Sequence, residues 1–405
     1  MRTPLVPASF ALTLVALLAA CDSGSKSSPG AGSGSAGTSV QTGSPGAGGD
    51  GQPGGAGTGS AGDAGSPGQA TGQGGSSGGS GQTGGAGKPS SAGPLSPTTF
   101  VFERKVTADR DHLVAMDYTT GETRVIATLA EGSVAGWKID GVSVSPDRTR
   151  IVLASPYGAT AADVATGLST NILWSMDING GDLRRLTPTF NNSHAGTPGF
   201  WIDVRNPLFT PDGQQVLFDY GESSGQGGYL APWYVEAAGG SLPAALDLPL
   251  SQGCSVTANL AFQPDTNDLL VEHEVCADDG HEGYFLYPQQ GGDPAYLIDA
   301  KGVSYSSEAP SFSPDGSVFV YTARAYEDSI QSLYAYLTEK PQVVKLIPGA
   351  KGRDIVNASF APDSAHLVYC VREGDAYDLH VIDLTADPVV DKALTTDGQS
   401  CDPVF

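Results

Sequence analysis

Pro310-Ser-Phe-Ser-Pro-Asp315-Gly316-Ser-Val-Phe-Val-Tyr321 is the segment from which the rest of the chain can be read. Pro fixes φ for the second position of a tight turn, Asp suits the third and Gly the fourth. Ahead of the turn a large Phe312 alternates with a small Ser311, the period of a strand in stacked sheets. Behind it Phe319-Val-Tyr321 is continuously apolar, as in a strand buried on both faces. The pattern recurs at Val142-Ser-Val-Ser-Pro-Asp147, Pro207-Leu-Phe-Thr-Pro-Asp212, Leu260-Ala-Phe-Gln-Pro-Asp265 and Ala358-Ser-Phe-Ala-Pro-Asp363. The turn prolines stand 65, 53, 50 and 48 residues apart, a spacing that signals a repeat architecture.

Each unit continues into a second pair of runs, such as Leu173-Trp-Ser-Met-Asp177 and Leu183-Arg-Arg-Leu186 around Gly180-Gly181. Four strands in about 50 residues make a propeller blade. Ser96-Pro97-Thr-Thr-Phe100-Val-Phe102 matches a second strand, Leu113–Asp117 a third and Arg124–Ile126 a fourth; Asp402-Pro-Val-Phe405 matches a first strand. The predicted fold is therefore all-β: a six-bladed β-propeller of four-stranded blades, closed by the C-terminal strand joining the N-terminal blade. Closure removes the sheet edges that invite aggregation. The Ser-Pro-Asp-Gly turns, the Leu-Tyr-Val-x-Asp-like third strands and the Gly-Gly hairpins resemble the repeats of TolB-type and WD-repeat-like propellers. That resemblance covers about 97–405. It implies the fold and says little of function. TolB has an α/β domain ahead of its propeller, whereas here a different kind of segment occupies that place.

Residues 22–97 are Gly, Ser, Ala, Thr, Gln and Pro almost throughout, without an aromatic. Such a composition cannot bury enough apolar surface to offset its ordering entropy. The expected domains are a signal peptide over 1–20, a Cys and disordered linker over 21–97, and the propeller over 98–405. The linker would be a flexible coil about 45–50 Å across. Ala8–Leu18 is an apolar run too short for a membrane-spanning helix but suited to a signal peptide. Leu18-Ala19-Ala20-Cys21 resembles the lipobox of bacterial lipoproteins, which implies a diacylglycerol on the Cys21 thiol. The expected location is the cell envelope, lipid-anchored on the periplasmic side of a membrane or at the cell surface. An ordinary cleaved signal with an incidental Cys is the alternative.

The formal net charge is −23, and the propeller carries all of it. Such a surface repels phosphate backbones, so nucleic acid is not expected as a partner. The propeller is expected to be monomeric and to use no cofactor.

The Pro-Asp and Gly-Gly turns share one end of the predicted propeller. Irregular connections at 155–171, 188–206, 221–230, 248–258, 276–283 and 349–357 cluster at the other, where binding usually resides. Phe190, His194, Phe200 and Trp201 give the second of these an aromatic content suited to a contact surface or to packing over the blade tops. Five residues before each turn proline stand Gly141, Asn206, Asn259, Ala309, Asn357 and, by register, Asp402; Asp140 and Glu308 sit beside the two gaps. This ring of amides and carboxylates at the channel mouth could take a ligand or a cation, or cap strand ends.

Cys254, Cys276, Cys370 and Cys401 suggest disulfides in an exported domain, and four cysteines allow three connectivities. Antiparallel register about residue 265 favours Cys254–Cys276, leaving Cys370–Cys401. His273-Glu274-Val-Cys276-Ala-Asp278-Asp279-Gly-His281-Glu282 is dense in possible ligands but fails the H-E-x-x-H spacing, so no metal site is assigned. Gly221-Glu-Ser223-Ser-Gly225 matches G-x-S-x-G without the helix a nucleophile elbow needs. The sequence favours a non-enzymatic module that binds or scaffolds a protein or peptide of the cell envelope on its long-connection face. The alternative is a lyase-like propeller enzyme or carbohydrate-binding protein that uses the channel.

Overall fold

The structure, a computed structural model, describes residues 93–405 except 108–109, 131–138, 140, 157–170, 189–200, 225–226, 249–253, 277–282, 300–302, 306–309, 326–329 and 388. It holds six antiparallel sheets. The chain enters with β1 (Thr99–Thr107), β2 (Arg110–Asp117) and β3 (Thr123–Ala130). The second sheet is β4 (Val142–Val144), β5 (Arg150–Ser155), β6 (Ile172–Asp177) and β7 (Arg184–Arg185). The third is β8 (Trp201–Phe209), β9 (Gln215–Ser224), β10 (Gly227–Glu236) and β11 (Ala244–Ala245). The fourth is β12 (Cys254–Phe262), β13 (Leu269–Cys276), β14 (Gly283–Tyr287) and β15 (Ala295–Asp299). In the fifth, β16 (Val303–Tyr305) and β17 (Ser311–Phe312) both pair with β18 (Val318–Ala325), which is followed by β19 (Gln331–Leu337) and β20 (Gln342–Ile347). The sixth is β21 (Arg353–Phe360), β22 (His366–Glu373), β23 (Ala376–Asp383) and β24 (Val390–Ala393).

The last strand, β25 (Ser400–Val404), returns to the first sheet, with Val101 opposite Val404 and Glu103 opposite Cys401. The order β25-β1-β2-β3 completes a six-bladed β-propeller, as the split of sequence motifs between the two chain ends predicts.

The Ser/Thr-Pro-Asp turns explain why the blades begin where they do. Ser313 Oγ donates to Asp315 Oδ1 at 2.6 Å and accepts the Val318 amide at 3.0 Å. Ser145 with Asp147 and Thr210 with Asp212 do the same. The hydroxyl thus relays a strand amide to the turn carboxylate, and Gly213 and Gly316 take the left-handed conformation that follows. The small serines three residues before the turn prolines join neighbouring blades: Ser143 Oγ accepts the Phe209 amide, Ser311 Oγ that of Phe360 and Ser359 Oγ that of Phe405.

The core is a set of apolar clusters, one in each gap between blades. Val152, Leu173 and Phe218 fill one gap, and Tyr284, Phe319 and Tyr321 another. Phe100, Phe102, Val114 and Val368 fill the gap between the sixth blade and the first.

Two expectations change. Several stretches predicted as irregular connections are strands: Gly221–Ser224 pairs with Gly227–Leu230, and Cys254–Thr257 lies along β13. Repeated glycines hide the alternation in the first of these, although the backbone ladder does not need side chains to form. The fifth blade's innermost position is occupied by two short strands rather than one.

Candidate functional site

An axial cavity of about 600 Å³ opens among the innermost strands. Its wall includes Gly141, Asn206, Asn357 and Asp402 from the predicted ring. The innermost strands kink at these positions. Ladder register shifts between Arg205 and Leu208, between Val356 and Ala358, and opposite Val101–Glu103, where Asp402 lies. Asn206, Asn357 and Asp402 have φ of 48°, 43° and 56°, and Gly141 has 100°. Asn, Asp and Gly tolerate this left-handed region best, so the residue types answer a backbone demand. A β-bulge of this kind re-aims the side chain it carries. Gly141 has a second constraint, because a Cβ there would lie 3.0 Å from the Asn206 backbone.

The asparagines donate to carboxylates. Asn206 Nδ2 lies 2.8 Å from Asp219 Oδ2, and Asn259 Nδ2 lies 2.5 Å from Glu272 Oε2. Asn357 reaches across the seam between blades and donates to Asp402 Oδ1. Asn259 is buried and absent from the cavity wall, so it is a structural member of the ring. Asp140 and Glu308 lie outside the described residues. So do Phe190, His194 and Phe200; Trp201 begins β8, and its side chain is not described.

Sequence reasoning missed the second-strand acids Glu103, Asp219 and Glu272. Each ends an apolar run after a turn, and two of them follow their ring asparagine by 13 residues. A charge at a fixed offset inside otherwise buried strands was the available signal. It also missed Lys105 and Arg205, both on the cavity wall.

Glu103 is 5% exposed and borders the cavity, with Asp111, 1% exposed, behind it on β2. Glu103 Oε1 and Asp111 Oδ2 meet no donor from the rest of the protein, and the two carboxyls hydrogen-bond to each other. Burial, then Asp402 and Asp111, holds the Glu103 carboxyl well above its usual value, and burial raises Asp111 as well. Buried together, the pair keeps a proton between its two carboxyls. Lys105 does not neutralise the pair by contact: its Nζ lies over the Tyr377 ring, 5.2 Å from the centroid.

The ligand-rich run around His273 resolves differently. His273 is buried, stacks on Phe285 at 4.1 Å and places Nε2 2.8 Å from the Tyr287 hydroxyl. It is a core side chain. Gly221–Ser224 is straight strand rather than a nucleophile elbow. Among the described residues no group of three His, Cys, Asp or Glu side chains is placed to hold a metal, and no helix is long and apolar enough to cross a membrane.

Cys370 and Cys401 form a disulfide with Cα atoms 5.3 Å apart, joining β22 to β25. Cys254 and Cys276 face each other in the β12–β13 register, though their side chains are not described.

No family model and no curated protein sequence matches the chain. Among solved structures it is similar to TolB from Acinetobacter baumannii, with a TM-score of 0.52 and 16% identity over 76% of this chain and 66% of that one. It is also similar to Kuenenia stuttgartiensis hydrazine synthase, with a TM-score of 0.50 and 13% identity over 75% of this chain and 46% of that one. An oligogalacturonate lyase from Vibrio parahaemolyticus gives a TM-score of 0.45 at 16% identity over 70% of this chain and 74% of that one, too loose a likeness to carry an argument. The first two likenesses support the propeller fold alone.

Proposed function

We propose that the chain is a lipid-anchored protein of the cell envelope whose propeller binds a protein or peptide at the axial mouth, without catalysing a reaction. The observation that carries this reading is the cavity itself. It gathers Glu103, Arg205, Asn206, Asn357 and Asp402 from three blades onto backbone kinked by bulges. A concave site with a few convergent polar groups on a rigid scaffold is the usual form of a binding site. The anchor rests on Leu18-Ala-Ala-Cys21, and the Gly/Ser-rich linker would lift the propeller clear of lipid head groups. A Cys254–Cys276 disulfide belongs to the same reading, since it would pin the long-connection end of the fourth blade.

Affinity capture from envelope extracts tests the binding, using the intact protein, an Asp402→Asn variant and a variant lacking 189–200. Loss of a captured protein by Asp402→Asn supports the axial mouth, and loss only on removal of 189–200 moves the binding to that connection. Identical recovery by all three contradicts it. Incorporation of labelled palmitate that disappears in Cys21→Ala tests the anchor.

Arg205 and Lys105 on the cavity wall favour one competing reading, a propeller that takes acidic carbohydrate. A rise in Tm with acidic oligosaccharides that is lost in Arg205→Gln would establish it in place of peptide binding.

A further inference from the structure

We propose that the acidic pole of the cavity, Glu103 with Asp402, receives an alkylammonium group, carried by a partner peptide as a lysine side chain or a chain N-terminus. This rests on the peptide-binding reading above and names the chemical group recognised.

Three observations carry it. Glu103 is almost wholly buried, yet it stands on the cavity wall with Oε1 unmet by any donor. Asp111, packed behind it, leaves a second carboxylate oxygen unmet. Asp402 stands on the same wall, its Oδ1 already taken by Asn357. Two buried carboxyls that meet no donor beyond the proton they share leave a demand for positive charge that the cavity wall does not meet by contact. An ammonium supplies both, with three N–H donors on a compact charge.

The surroundings select an organic cation over a metal ion. The described acids do not group as ligands to a metal. The cavity is wide enough for a side-chain stem, and Val356, Pro403, Phe405 and Tyr377 give it apolar and aromatic walls. The fold already places one ammonium in this cavity, that of Lys105 over Tyr377. An alkyl stem against apolar wall with its charged head on carboxylates is the ordinary behaviour of lysine.

The proton balance follows. In the free protein the Glu103–Asp111 pair keeps a proton. When R–NH₃⁺ arrives, that proton leaves to solvent and the ammonium donates to Glu103 in its place. The charged groups acting on Glu103 are Asp111 on β2, Asp402 on β25 and Lys105 on its own strand, and His112 acts on Asp111. Binding should therefore tighten as pH rises above the ordinary carboxyl range, toward the raised value of the pair.

The test is a calorimetric titration of the full chain with Nα-acetyl-lysine methylamide and its Nε-acetylated form, and with Ala-Ala-Ala amide and its Nα-acetylated form. The expected result is at least tenfold tighter binding of a free amine than of its acetylated twin. Binding should release up to one proton, read from buffers of different ionisation enthalpy. The first amine binding alone assigns the lysine side chain, and the second alone assigns the N-terminus. Glu103→Gln and, independently, Asp402→Asn should each weaken binding at least tenfold, while Glu272→Gln, away from the cavity wall, should not. Equal binding of free and acetylated forms overturns the inference, as does unchanged binding by folded Glu103→Gln. Calcium chloride releasing the proton where the amines do not also overturns it. If Glu103→Gln still captures the envelope partner that Asp402→Asn loses, the mouth binds peptide and the ammonium assignment alone fails.

Discussion

The seam between the sixth and first blades and the gap across the ring between the third and fourth are built differently. The seam buries Phe100, Phe102, Tyr118, Val356 and Val368 among others, whereas the described part of the opposite gap buries Leu217, Leu260, Leu269, Val271 and Tyr287. The seam adds the Cys370–Cys401 disulfide, Asn357 on Asp402, and Arg104 on both Ser400 and Asp397. Tyr118 donates to Asp363 Oδ2 at 3.0 Å, and its ring lies tilted against that of His366, 5.0 Å between centroids. Charge divides the same way: residues 201–300, which include the third and fourth blades, hold fifteen acidic side chains and one base, Arg205. Consecutive blades elsewhere continue along one chain. In the first blade the innermost strand, β25, comes from the far end of the sequence: the chain carries it on from β24 of the sixth blade, and only strand pairing and side chains hold it to β1. Arg104 on Ser400 and Asp397, and Tyr118 on Asp363, cross the place where the ring could open, whereas the disulfide and the Asn357–Asp402 bond fix β25 to the sixth blade from which it continues.

One substitution shows how the seam tie arises. The turn of the sixth blade reads Ala361-Pro-Asp363, without the hydroxyl found two residues before Asp in Ser145, Thr210 and Ser313. No relay hydroxyl occupies the Asp363 carboxylate, and it accepts from Tyr118 of the next blade instead.

The largest expected effect breaks the comparison outright. Deleting 399–405 removes β25, the disulfide and the Phe405 ring that lies 5.6 Å from Phe100. The remaining sheet edge and cavity wall should prevent cooperative folding, read as loss of a single thermal transition. Replacing both Cys370 and Cys401 by Ser should cost about 3.5 kcal/mol on the loop-entropy relation for a 31-residue separation. Urea midpoints measure it. Tyr118→Phe should cost about 1 kcal/mol and speed amide exchange in β1 and β25. Tyr287→Phe removes a hydrogen bond of similar size from His273 but should leave those strands unchanged. Equal effects of both on β1 would show that the seam is not a distinct cooperative unit.

The smallest effect is pH-dependent. Glu103 and Asp111 titrate higher in the folded state, so folding retains protons that the unfolded chain gives up above about pH 4.5. Stability therefore falls as pH rises through this window. Asp117 works oppositely: burial tends to raise it, but hydrogen bonds from Thr119 and Thr98 prevail and hold it at about 2. Its contribution is present above pH 4 and fades as pH drops toward 2. Glu103→Gln should flatten the decline between pH 5 and 8, gaining about 2–4 °C in Tm per kcal/mol recovered.

The legible parts of the fold were those written in local chemistry. Ser-Pro-Asp-Gly encodes its own turn, and the order of matching runs at the two ends encodes the split blade. The ring position could be counted from the turn prolines, and Asn206, Asn357 and Asp402 are on the cavity wall. Their partners were not legible: Asp219, Glu272 and Glu103 are defined by cross-strand register, which a bulge shifts. The strands hidden in Gly221–Leu230 lack alternation because glycine has no side chain to alternate. Lys105 and Arg205 occupy the cavity through tertiary placement that no spacing announces.

The claim on which the account rests is that the chain's last strand completes its first blade, and so builds the acidic pole of the cavity. A cross-link between Arg104→Cys and Ser400→Cys, opposite each other in the β1–β25 register, tests it. The account predicts that the two thiols bridge on mild oxidation of the folded protein, read by mass spectrometry of the unreduced digest. Two free thiols at these positions in the folded protein would contradict it.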